Sequence, residues 1–316
     1  MRIATCLFCF LIVSFFGQSM SIYSLWGALE IGLIFGLVAL GVLISFRILR
    51  FPDLTVDGSF PLGAAVAATL ISGGMDPFSA TLIATLAGGL AGMITGWLNV
   101  KLKIMDLLAS ILMMIALYSI NLRIMGRPNV PLISEPTVFT VLQPDNLVDY
   151  IVRPLILLVV VVLIKLALDW FFSTQIGLAM RATGSNPRMA RAQGVATGTM
   201  MLAGLAISNA LCALAGALFA QSQGGADISM GIGTIVIGLA AVIVGESILP
   251  SRRLIIITLS VVVGAVLYRF FIALALNADF IGLKAQDLNL VTAVLVTVAL
   301  VIPLVKQRLS KKKRVG

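Results

Sequence analysis

The chain has 316 residues; 60% are hydrophobic and 11% charged, against about 25% charged in a soluble domain. That composition describes an all-α polytopic membrane protein, and it excludes a soluble enzyme or a nucleic-acid binder, since the net charge of +9 follows from where Lys and Arg sit relative to a bilayer. Histidine is absent, so His-based catalysis and His-ligated metals are excluded, and the three cysteines (Cys6, Cys9, Cys212), all in apolar surroundings, do not suggest a disulfide framework or a metal site.

At ~20 residues per span the length allows about nine or ten transmembrane segments. Residues 1–19, MRIATCLFCFLIVSFFGQS, form a hydrophobic N-terminal segment with three readings. It is a first transmembrane helix at about 3–18, a signal-like segment with Gly17 and Ser19 before a cut, or an upstream extension with Met20 as the true start. The transmembrane domain proper runs over 20–316.

The apolar run at about 25–46 ends at Arg47 and Arg50. Next comes FPDLTVDGSFPLGAAVAATLIS, where Pro52 and Pro61 flank a polar D-G-S. The apolar part after Pro61 is about a dozen residues, or ~18 Å, too short for a ~30 Å hydrocarbon core. A broken helix is expected here, with irregular backbone buried in protein or lining a wet cavity. Further spans are expected at about 78–99 and 104–122. Residues 123–152 carry Pro128, Pro131, Pro136 and Pro144, which argue against a continuous helix. The span at about 153–172 places Lys165 and Asp169 four apart on one face, able to pair. Spans follow at about 199–221, 230–249, 254–276 and 289–305, before a basic tail.

Between two of these spans lies a polar, basic segment, 173–198, with Arg181, Arg188 and Arg191 and no acid to offset them. Asn186-Pro187 starts a short helix there of roughly two turns, and Gly194 ends it. With the tail inside, alternation leaves 123–152 outside and 173–198 in the cytoplasm. Of the 22 basic residues, 16 then fall inside and only Arg123, Arg127, Arg153 and Lys284 outside.

DGSFPLG at 57–63 and DISMGIG at 227–233 share D-x-S-x-x-x-G: Asp57, Ser59 and Gly63 against Asp227, Ser229 and Gly233. The topology enters the two from opposite sides, the pattern of an inverted internal repeat with a substrate path between the halves. Each Asp or Ser can cap the helix that follows it; exposure to the path is a second role that does not exclude the first. Other polar residues within spans, Glu30, Asn99, Asp106, Asn121, Asn209 and Glu246, are expected mostly near an interface. No paired-carboxylate relay, nucleophile–base set or phosphate loop G-x-x-x-x-G-K-[ST] is present.

FRILRFPDLTVDGSFPLGAAVAATL at 46–70, GLAMRATGSNPRMARAQGV at 177–195 and GGADISMGIGTIVIGLAAVIVGESI at 224–248 resemble the permease subunit of bacterial ABC importers. The branch is that of branched-chain amino-acid and ribose permeases, nearest to the tryptophan/tyrosine-type amino-acid permease group. The resemblance covers about 21–305. It implies a non-catalytic chain of the bacterial cytoplasmic (inner) membrane, with its C-terminus cytoplasmic, surrounded by membrane lipid and needing no cofactor. It further implies a permease homodimer, a separate ABC ATPase subunit and an extracytoplasmic substrate-binding protein, with alternating access for a small solute, an amino acid. Asn186, Pro187, Arg188, Ala190, Arg191, Ala192 and Gly194 would form the coupling helix on the ATPase. The competing reading is an ion-driven secondary transporter or channel, for which Lys165 and Asp169 are the candidate charges.

Overall fold

The computed structural model describes residues 22–143, 149–251, 253–276 and 297. Helix α1 (Ile22–Val42) runs on into a π-helical turn, Leu43–Leu49. Then come α2 (Val56–Ser72), α3 (Pro77–Val100) and α4 (Asp106–Met125). A short strand β1 (Asn129–Pro131) and a one-turn helix α5 (Val138–Val141) lead to α6 (Asp149–Ser173). Helices α7 (Gln175–Ser185) and α8 (Pro187–Ala192) precede the long α9 (Thr197–Gln223). Strand β2 (Gly225–Asp227) and a 3₁₀ turn (Ile228–Gly231) open onto α10 (Thr234–Ile248), followed by α11 (Leu254–Leu276).

Seven helical stretches among the described residues are long and apolar enough to span a bilayer, and they match the seven spans expected between 25 and 276. The stretches expected at 3–18 and 289–305 lie outside the described residues, Thr297 apart.

Apolar pattern decides which helices are central. From Leu33 to Ile44, α1 is buried on every face, as a helix that is hydrophobic all round must be. Helices α3, α4 and α6 instead turn Leu86, Ile115, Leu163 and Trp170 outward. Helix α9 crosses α1 where the Ser208 hydroxyl donates to the Gly41 carbonyl at 2.7 Å. It meets α2 at Gly63 and Gly216, where an added Cβ would lie 1.9 Å from a carbonyl oxygen of the other helix. Small residues at such crossings let helices approach until their backbones touch, which drives association where lipid gives no hydrophobic gain. The packing is crosswise: α9 holds α2 and α3, while α1 holds α10 and α11.

The loops sort to two ends. At one, Arg47 pairs with Glu246 at 2.9 Å and α7 packs under the π-helical turn. At the other, β1 pairs antiparallel with β2, Asn129 opposite Asp227. This is the grouping that the alternation of spans requires.

The helix break lies elsewhere than expected. Asp57, Gly58 and Ser59 are helical, in the first turns of α2, and Pro61 is inside that helix. The irregular backbone is Arg50–Thr55, upstream of them. Arg50 takes a left-handed conformation, φ 57°, and the amide of Phe51 reaches back to the Ser45 carbonyl at 2.9 Å. Pro52 removes a donor from this stretch and Asp53 supplies an acceptor, so the chain is irregular until the turn at Leu54–Thr55 starts α2. Helix α2 has 17 residues, ~25 Å, still short of a full crossing.

Candidate functional site

Two places carry the polar chemistry: the elbow between α6 and α9, and the break before α2.

The elbow is two helices rather than one. Thr174 caps α7 by accepting from the Gly177 amide at 3.4 Å. Asn186 ends α7 and starts α8, its side chain accepting from the Met189 amide at 3.1 Å, with Pro187 in the first turn. Helix α8 has six residues, less than two turns. It stops as its sequence directs: Gly194 adopts φ 82°, its amide bonds Arg191, and the Val195 amide bonds Ala190, the paired bonds of a Schellman cap. Asn186, Pro187, Arg188, Arg191, Ala192 and Gly194 are exposed. Ala190 is not; it is 4% exposed and turns inward, because the face of α8 that carries it rests on the protein. Arg191 curls back to donate to the Thr197 hydroxyl at 3.2 Å. Behind the elbow, Gly184 sits on the π-helical turn: a Cβ there would lie 1.8 Å from the Ile48 carbonyl oxygen.

The break is held by a buried network. Asp53 is fully buried. One carboxylate oxygen accepts from the Thr55 amide at 3.0 Å, the other from the Asn209 amide group at 2.7 Å. The Ser59 hydroxyl donates to the Asn209 carbonyl oxygen at 2.7 Å, and the hydroxyls of Thr55 and Thr95 meet at 3.0 Å. Asn121 donates to the Gly58 carbonyl at 3.1 Å. Asn209 is the thirteenth of the 27 residues of α9, ~18 Å from its start, and both asparagines are fully buried. Asn209 is therefore a mid-helix side chain rather than the interfacial one expected, whereas Asn121 lies four residues from the end of α4. Irregular backbone inside a membrane needs such internal partners, and Asn supplies both a donor and an acceptor.

The two D-x-S motifs meet in space. Asp57 does not cap its own helix: its carboxylate accepts the Ile235 amide at 2.7 Å, in the first turn of α10. A negative charge at a helix N-terminus satisfies free amides and opposes the macrodipole. Pro61 has no amide to offer the Asp57 carbonyl, and Gly231 packs into that space, where a Cβ would fall 2.1 Å from the oxygen. In the second motif Asp227 caps the 3₁₀ turn by accepting from the Ser229 amide at 2.7 Å, and the exposed Ser229 hydroxyl donates to the same carboxylate. Gly233 turns the chain with φ 82°. Ser59 and Gly63 are buried at helix contacts with α9. Lys165 and Asp169 do pair, at 2.5 Å, and Asp169 also accepts from the Thr258 hydroxyl at 2.7 Å. No cluster of three or more metal-ligating side chains occurs among the described residues.

Residues 25–303 match the family described as the permease component of branched-chain amino acid transport systems. The chain belongs to that family. The permease is 40% identical over 265 residues to a tyrosine transport system permease protein of Clostridioides difficile, covering 84% of this chain and 86% of the relative. It is 41% identical to an uncharacterised protein of Rickettsia prowazekii, over 70% of this chain and 76% of that one. A galactofuranose transporter permease protein of Escherichia coli is 27% identical, over 64% of this chain and 58% of its own length. No solved structure matches. As a transport permease with seven apolar spans among its described residues, the chain is a non-catalytic, multi-pass inner-membrane protein.

Sequence reasoning missed Asp53, Thr95 and Ser208. Asp53 carried one signal, an acid beside a proline in otherwise apolar sequence. Thr55 is two residues on, but Asn209 is 156 residues away and gave none.

Proposed function

We propose that this permease forms the solute path of an ATP-driven importer for a small organic solute, an amino acid, and works by alternating access. A separate ATPase docks on the elbow, with the exposed Arg188 and the caps of α8 as its contact and Ala190 anchoring α8 from beneath. The observation that carries this reading is the seat of Gly184 on the Ile48 carbonyl, which joins the basic elbow directly to the end of the central helix. The chain has no phosphate-binding loop, so an ATP-driven cycle takes its motor from a separate subunit, and a binding protein delivers solute at the opposite end. Two copies pair around the path. The Clostridioides difficile relative, a tyrosine transport permease, supports an amino acid as the solute.

Two inverted halves fit the crosswise packing, in which each long central helix holds the shorter helix of the other motif. The seven spans, α2, and the apolar stretches at 3–18 and 289–305 would total ten. The excess of Lys and Arg at the elbow's end supports a cytoplasmic elbow and tail. The ion-driven alternative rests on Lys165 and Asp169, which are already paired with each other and with Thr258.

The test is affinity purification of the tagged full chain from its host, followed by assay of ATP hydrolysis in the eluate. Wild type brings down an ATPase; Arg188→Glu loses it, while Arg123→Glu at the other end keeps it. A folded Arg188→Glu chain that retains the ATPase refutes the coupling assignment.

A further inference from the structure

Arg269 lies deep in α11, the sixteenth of its 23 residues and ~22 Å from the helix start. The two ion pairs among the described residues are Arg47–Glu246 and Lys165–Asp169, and Arg269 is in neither. Its Nε is buried and has no hydrogen-bond partner among the described residues. Its guanidinium carbon sits 4.3 Å from the centroid of the Phe35 ring. Phe35 in turn stacks on Phe60 at 5.8 Å and meets Phe219 edge-on at 6.1 Å. Phe60 follows Ser59 in α2, so the aromatic side chains, through Phe60, connect Arg269 to the helix that carries the network. Helices α11 and α1 close on each other at Gly32, where a Cβ would lie 3.0 Å from the Val266 Cα. That contact fixes the side chain's height against Phe35.

A charged arginine within a span is costly and is kept where a partner compensates it. Stacking on Phe35 offsets part of the cost, and no ion pair with a described residue occupies the guanidinium. Such a planar fork matches a carboxylate two bonds at a time. Glu30, the acid on α1, accepts from the Ser222 hydroxyl at 2.6 Å and forms no ion pair with it. The geometry points to Arg269 as the residue that receives the carboxylate of the transported solute, an amino acid, as it passes the helix break. This rests on the importer reading above and names a specificity residue for it. The aromatic trio beside the guanidinium suits a solute with an apolar or ring-bearing side chain.

The experiment uses the whole importer in proteoliposomes, with labelled tyrosine and its decarboxylated counterpart tyramine as probes. Arg269→Gln lowers ATP-driven tyrosine uptake by about tenfold or more, the scale of one charge-assisted contact. Arg269→Lys keeps the charge but loses the fork and the stack on Phe35, so it recovers only part of it, and both variants still capture the ATPase. In a chain with Cys6, Cys9 and Cys212 replaced by alanine, Arg269→Cys reacts with a water-soluble anionic thiol reagent in at least one nucleotide state. Tyrosine protects it and tyramine does not. Wild-type uptake by Arg269→Gln, absence of labelling in every state, or equal protection by tyramine overturns the assignment alone. Wild-type vesicles that import no amino acid with ATP overturn the importer reading and this inference with it.

Discussion

The carboxylate of Asp57 accepts the amide proton of Ile235 at 2.7 Å, across 178 residues of chain. The first D-x-S motif thereby closes the start of the helix that belongs to the second. With Gly231 seated beside Pro61, this makes α2 and the start of α10 one mechanical unit. The proposed alternating access would have to move them together or break this bond.

Replacing Asp57 tests the clamp. Asp57→Ala leaves buried amides without an acceptor and costs about 1–3 kcal/mol; Asp57→Asn keeps an acceptor and costs less. Thermal unfolding of the purified chain in detergent should rank wild type, Asn and Ala in that order. Equal midpoints for Ala and wild type would show that the clamp contributes nothing.

The break before α2 should behave as a coupled pair. Asn209→Leu strands the Asp53 carboxylate and costs about 1–3 kcal/mol. Asp53→Asn alone replaces one of the two acceptor oxygens by a donor, so it mismatches either the Thr55 amide or the Asn209 side chain. In a double-mutant cycle the two changes should depart from additivity by more than about 0.5 kcal/mol, as directly bonded side chains do.

The two arginines of α8 should separate. Arg188 is exposed, whereas Arg191 bonds the Thr197 hydroxyl. Arg188→Ala should weaken ATPase capture without changing stability. Arg191→Ala should loosen the elbow, raising protease cleavage between 186 and 197 before any loss of capture. The reverse pattern would exchange their roles.

Asp227 gives a pH dependence. The Ser229 hydroxyl and amide, with Asn129 at 3.4 Å, hold its carboxyl below the usual carboxylate range. A lowered folded value means that the stabilisation is complete above the unfolded value of about 3.9 and fades as pH falls through the folded one. Hydrogen exchange at the Ser229 amide should therefore speed up below about pH 4, beyond its intrinsic pH dependence. Asp227→Asn should abolish that step.

The elements that could be read from sequence are those whose cause is local. Runs of twenty or more apolar residues gave the spans. Asn186-Pro187 and Gly194 marked both ends of α8, because capping depends on neighbouring residues. The α7 helix was less legible, since its burial depends on Gly184 meeting a turn 136 residues earlier. Asn209 was misplaced toward an interface because α9 is small and apolar on every side, so its sequence does not mark depth. Asp57 looked like a cap for α2, and its true partner, a backbone amide in the other half, leaves no trace in residue identity. Asp53 was passed over as part of a loop that turns out to be buried.

The seat of Gly184 on Ile48 has one more consequence. Close-packed interiors compress very little, and here backbone rests on backbone with no side chain between to flex. A displacement of the elbow has no slack in which to dissipate, so it must reappear as a tilt of the central helix or a change in the left-handed kink at Arg50. A single added methyl, Gly184→Ala, would act as a wedge held permanently in that joint.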